Sequence, residues 1–211
     1  MARRMSDVVR AVHPLLRESG FTKRRNTFNR ETEPGLVHVI AFQMGRYELY
    51  GEQHDPFTGE YGRFWLALGV YVAEVAELLG GSGRQPEFIV EPQCELRVQA
   101  DSVSSAPRAG WYLGEEHDAL VEEARTALTG GVLPYLDRLT TRDALLAAWD
   151  RDPLDVPLTR DKLAAAAVEL GRGRRERGFE LVREHLADGN FHPRHADWVR
   201  ANVLPRIELK L

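Results

Sequence analysis

The chain has 211 residues, 43% of them hydrophobic and 28% charged, a globular composition that excludes wholesale disorder. Its net charge of -4 is unevenly spread: basic residues outnumber acidic ones at both ends, and acidic residues dominate between about residues 36 and 157. An acidic middle argues against wrapping nucleic acid over the whole surface, so nucleic acid is not the expected partner.

Met5, Val8, Val9, Val12, Leu15 and Leu16 recur at helical spacing, so residues 5–19 read as an amphipathic helix that Ser6 can cap and Gly20 stops. The Pro34-Gly35 turn signal separates a short strand near Thr27–Glu31 from a β-rich run at Leu36–Phe42. Together these predict a hairpin over 27–43. Gly45 to Gly62 is polar and turn-rich and reads as a long surface loop. Arg63 to Val72 alternates, with Phe64, Leu66, Leu68, Val70 and Val72 on one face and Trp65, Ala67, Gly69 and Tyr71 on the other. Val75–Leu79 can add a helical turn before the break at Gly80–Gly83. Gln93 to Gln99 alternates again, placing Cys94, Leu96 and Val98 inward and Glu95 and Arg97 outward.

From residue 115 the period turns helical. One helix carries Leu120, Val121, Ala124 and Leu128 and is expected to end at Gly130-Gly131; Pro134 suits the first turn of another. Thr141 can cap a third that runs to Trp149. Asp152–Pro157 reads as a linker, residues 160–170 and 175–187 as a helical hairpin, and Pro193 to Pro205 as a last helix carrying Trp198. Strands first and helices after predict an α+β fold: a small antiparallel sheet of about four to five strands packed by helices, with a C-terminal all-helical extension. The expected division is an α+β domain over 1–152 and a helical extension over 158–211, which can pack together as one unit.

Residues 16–140 resemble a bacterial family known as domain of unknown function 4304. The resemblance rests on Gly20-Phe21, Lys23-Arg24, Asn26-Thr27-Phe28, Arg30, Gly35-Leu36, Val39–Gln43, Phe64–Val72, Cys94–Arg97 and Trp111-Tyr112, in that order. The family brings no activity to transfer. Residues 158–211 lie outside the resemblance, so nothing about them is inherited.

Four groups of residues carry chemistry worth weighing. Trp65, Tyr71, Glu95 and Arg97 point to the face opposite the core, where Gln43 and Arg30 join them if strand registers allow. Rings beside an arginine make a binding platform, against the plainer reading that helices cover this face. Lys23, Arg24 and Arg25 form a basic cluster fit for an anion, although strand alternation divides it between two faces. His185, His192, His195 and Asp197 match no metal-ligand spacing, so no metal is expected. Cys94 lacks an activating signature, no phosphate-binding loop or dinucleotide fingerprint is present, and no cofactor is expected.

Cys94 is the sole cysteine, which excludes an intrachain disulfide and suits a reducing compartment. The first residues lack a signal-peptide pattern, and no stretch approaches the ~18 apolar residues of a membrane helix. These features predict a cytoplasmic protein without membrane association, and the family resemblance implies a bacterial one. The reading that follows is a non-catalytic binding module for a protein or small-molecule ligand. Its alternatives are an enzyme with Glu95, Arg97 and His38 or His54 in one pocket, and a nucleic-acid binder using residues 23–30.

Overall fold

A computed structural model of the chain describes residues 2–45, 62–80, 85–103, 110–150, 162–188 and 193–208. In chain order the elements are α1 (Ala2–Glu18), β1 (Thr22–Arg24), β2 (Thr27–Glu33), β3 (Leu36–Met44), β4 (Arg63–Val72), α2 (Ala73–Val75), β5 (Leu96–Gln99) and β6 (Trp111–Tyr112). There follow α3 (His117–Ala127), α4 (Leu133–Asp137), α5 (Arg142–Asp150), α6 (Lys162–Gly171), α7 (Arg175–Ala187), α8 (Pro193–Asn202) and α9 (Leu204–Glu208). The fold is α+β. Its described residues form two compact units, one of Met1–Tyr71 with Glu87–Thr140 and one of Val72–Pro86 with Thr141–Leu211.

The first unit holds the sheet, in the order β1-β2-β3-β4-β5 with β6 also on β4. The expected hairpin over 27–43 is present as β2 and β3, with Phe28 opposite Ile40 and Arg30 opposite His38. β4 and β5 lie side by side, Leu68 opposite Val98 and Val70 opposite Leu96. Two-residue periodicity therefore located both strands. It did not delimit β1, where Lys23 and Arg24 read only as a strand end, or β6; at three and two residues both are too short to show a period.

Alternation divides the sheet into two faces. Against α1 lies an aromatic row: His13 meets Phe28, Phe28 meets Phe42, Phe42 stacks on Phe64 and Phe64 on Trp111, with ring centroids 5.2–6.2 Å apart. Val8, Val12 and Leu16 of α1 and Leu66, Leu68 and Val70 of β4 are buried with it. Gly20, at φ +84°, ends α1: Phe21 N–H donates to Leu16 O and Gly20 N–H to Arg17 O, so the last carbonyls keep partners.

Two expected helix ends are not ends. Residues 128–132, including Gly130-Gly131, continue α3 through a π turn into α4, with the Leu133 N–H donating to Leu128 O. Glycine costs about 1 kcal/mol in a helix interior, and burial of Leu128, Val132 and Leu133 outweighs it. Pro205 likewise does not end α8, which stops at Asn202; it lies in the first turn of α9, where proline lacks no needed donor.

The second unit is helical. α6 buries Leu163 through Val168 without a break and forms a tight hairpin with α7. The turn repeats the α1 ending: Gly173, at φ +76°, donates to Leu170 O and Arg174 N–H to Glu169 O. Thr141 caps α5 as expected, its hydroxyl accepting from Ala144 N–H at 3.1 Å. The turn expected at 75–79 is α2 continued by a π turn over 76–80. The expected linker over 152–157 and most of the 45–62 loop lie outside the described residues.

Candidate functional site

The sheet face away from α1 brings together three of the residues singled out for it. Trp65 on β4 donates from its indole nitrogen to Gln43 Oε1 of β3 at 2.8 Å. Gln43 Nε2 donates to Glu91 Oε2 at 3.1 Å, and Arg97 on β5 grips the same carboxylate through Nε at 2.5 Å and Nη2 at 3.2 Å. The link is Glu91, which the sequence reading did not select. It sits in a short 3-10 turn, Glu91–Gln93, where no periodic pattern exists to flag a functional side chain. The Glu91 side chain is 5% exposed, against 54% for Arg97. A buried carboxylate thus holds a guanidinium that still meets solvent.

The remaining members of the expected platform lie elsewhere. Tyr71 has the right parity but is 3% exposed, so its ring is buried. Glu95 is exposed and precedes β5, and its backbone N–H donates to Val70 O. Arg30 is paired with His38 in the β2–β3 register and belongs to the face against α1. Cys94, expected beside Leu96 on that face, is buried over Gly69 instead: a Cβ on Gly69 would fall 2.4 Å from its Sγ. Because Gly69 shares parity with Trp65 and Tyr71, Cys94 belongs to the face away from α1. Burial pushes the Cys94 thiol far up, the charges of Glu91 and Glu95 adding to it, which leaves a poor nucleophile.

Arg30 anchors a separate cluster. It lies over the Phe21 ring at 4.7 Å, donates to Asp137 Oδ1 at 2.6 Å and Ser19 O at 3.2 Å, and reaches His38 Nδ1 at 3.2 Å. His38 Nε2 is 3.0 Å from Leu139 O. Since a carbonyl only accepts, Nε2 carries the proton and Nδ1 accepts from Arg30. Burial lowers the His38 pKa to about 4, against an opposing contribution from the Leu139 hydrogen bond, with Arg30 lowering it further. Both ring nitrogens are committed to structural bonds, and the ring lies across the sheet from Arg97. Glu95, Arg97 and His38 therefore form no common pocket, and His54 lies outside the described residues.

Lys23 and Arg24 are exposed on β1, and Arg25 occupies the following turn at φ +57°. The Arg24 guanidinium lies 6.0 Å from the Phe88 ring centroid. In the second unit, His185 and His195 face each other with Nε2 atoms 2.9 Å apart, and His195 stacks on Trp198. Asp197 is ion-paired with Arg200 at 3.2 Å, and His192 lies outside the described residues. Among the described residues no group of three or more His, Cys, Asp or Glu is placed to hold a metal, and no helix is long and apolar enough to cross a membrane.

Comparison with curated proteins and with solved structures finds no match. A family model does match, over residues 12–138, a span that begins within α1 and closes at the end of α4. It takes in the Trp65–Gln43–Glu91–Arg97 array and the Arg30–His38–Asp137 cluster, and it stops before α5 to α9. By that match, which covers more than half its length, the chain belongs to the family described as a domain of unknown function, DUF4304.

Proposed function

We propose that this protein is a non-catalytic binding module and that its docking surface is centred on Arg97, on the sheet face away from α1. The observation that carries this reading is the array itself. Glu91 occupies Nε and Nη2 of Arg97, so the guanidinium is held in one orientation while about half of the side chain stays exposed. A charge held in place before binding loses less freedom on complex formation than a mobile one. Val90, next to Glu91 in the chain, adds an apolar contact at 44% exposure. The partner that suits this pairing is a protein presenting a carboxylate beside an apolar side chain. Arginine pairs such groups strongly, and arginine is enriched in interfaces.

The test compares the wild type with Arg97→Glu and Val90→Asp. Partners captured by the wild type are identified by mass spectrometry, purified, and titrated calorimetrically against all three proteins. Affinity should fall at least about tenfold for Arg97→Glu and by a smaller factor for Val90→Asp, with unchanged far-ultraviolet circular dichroism. A purified partner that binds Arg97→Glu as tightly as the wild type overturns the assignment of this surface.

A further inference from the structure

Residues 89–91 run across the sheet face away from α1 and are fastened to it at two points. Asn29 of β2 donates from Nδ2 to Ile89 O at 2.9 Å and accepts at Oδ1 from the Ile89 N–H at 2.8 Å, both bonds buried. Two residues on, Glu91 is held by Gln43 of β3 and Arg97 of β5. Val90 between them is extended, and successive side chains of an extended chain point to opposite sides. Ile89 and Glu91 therefore face the sheet and are buried, Val90 faces out at 44% exposure, and Phe88 is half-buried.

Each end of this strap has a cation on the same face. Arg97 stands at the Glu91 end and Arg24 at the Phe88 end. Lys23 pairs with Phe28 in the β1–β2 register and so belongs to the side of α1, which sends Arg24 to the other side. The Arg24 guanidinium lies 6.0 Å from the Phe88 ring centroid, and among the described residues the side chain has no hydrogen bond or ion pair. Arg24, Phe88, Thr22, Lys23 and Glu87 line an open depression of about 340 Å³ at that end, and Glu87 makes no ion pair with either cation. The outward strip thus runs Arg24, Phe88, Val90, Arg97: apolar surface between two cations.

Resting on the reading of Arg97 as a docking surface, we infer that the partner presents an extended segment with two acidic side chains, one for Arg97 and one for Arg24, and apolar side chains between them over Val90 and Phe88. β1 and β5 are separated by three strands, roughly 19 Å at ~4.8 Å per strand spacing, and both arginines reach inward onto the strap. The three residues from Phe88 to Glu91 set a lower bound of roughly 10 Å between the two charges. An extended chain at ~3.3 Å per residue covers this range with about three to six residues. Two fixed charges select a partner by spacing as well as by sign. A polyphosphate backbone brings continuous charge and nothing apolar to set against Phe88 and Val90, and Glu87 opposes it.

The test selects a displayed library of random decapeptides on the full-length wild type, Arg24→Glu and Arg97→Glu, with circular dichroism unchanged in all three. Should Arg97→Glu fail to fold, Arg97→Gln replaces it. The wild type should enrich peptides with two acidic residues about three to six positions apart and apolar residues between them. Arg24→Glu should lose the preference at one acidic position, and Arg97→Glu at the other. The best two-acid peptide, synthesised with blocked ends and titrated calorimetrically, should bind Arg24→Glu at least about tenfold more weakly than the wild type. Peptides with a single acid, kept by Arg24→Glu and lost with the Arg97 substitution, overturn the two-point inference and leave the Arg97 surface standing. No enrichment, or enrichment indifferent to the Arg97 substitution, overturns both.

Discussion

Replacing His38 by glutamine should reverse the order of stability of the two proteins between neutral and acid pH. The ring is fully buried, Nε2 donates to Leu139 O, and its pKa lies at about 4 against 6.5 for a free histidine. The unfolded chain therefore binds a proton on His38 that the folded chain refuses, so stability falls as pH drops from about 6.5 to about 4. A gap of this size corresponds to about 3 kcal/mol. Glutamine can supply a donor for Leu139 O and an acceptor for Arg30 but does not titrate. At pH 7 the variant should be less stable by about 1–2 kcal/mol, for imperfect hydrogen bonds and packing. Near pH 4 it should be more stable than the wild type by a similar amount. Arg30 stays charged throughout, and Asp137 is common to both proteins, so the difference between them reports His38. Urea unfolding followed by tryptophan fluorescence at several pH values measures this difference. Parallel loss of stability in both proteins would refute the reading of His38 as a buried neutral donor.

Two further outcomes test the sheet face. Arg97→Ala should cost about 2 kcal/mol, because it takes two charge-assisted bonds from the buried Glu91 carboxylate and leaves it the neutral Gln43 amide, whereas Glu91→Gln should cost about 1 kcal/mol, since the half-exposed Arg97 can hydrate. Equal or reversed costs in urea unfolding would contradict the burial asymmetry. Gly69→Ala should lower the thermal midpoint through its clash with Cys94, at about 1–3 kcal/mol. The same substitution in a Cys94→Gly background should cost clearly less; identical losses in the two backgrounds would show that Cys94 does not lie over Gly69.

The architecture was legible because burial imposes a period. A half-buried strand repeats every two residues and an amphipathic helix every 3.6, so β4, β5, α1 and the α6–α7 hairpin stood out. The Trp65, Gln43 and Arg97 side chains were reachable by the same logic, since parity alone sends them away from Leu66 and Leu96. Arg30 follows the same rule to the other side: it shares the parity of Phe28 in β2, and only the pairing of β2 with β3 and of β3 with β4 shows that the Phe28 side is the one opposite Trp65.

What the amino-acid order determined by itself is thus local: which segments are strands or helices, and which residues within one segment share a side. Tertiary structure decided what those sides meet. It buried Tyr71, seated Cys94 over Gly69, carried α3 through two glycines, and placed Glu91 of a non-repeating turn beside Arg97. Each of these depends on contacts between segments distant in the chain, and such contacts override local propensity when the apolar surface they bury outweighs the local cost.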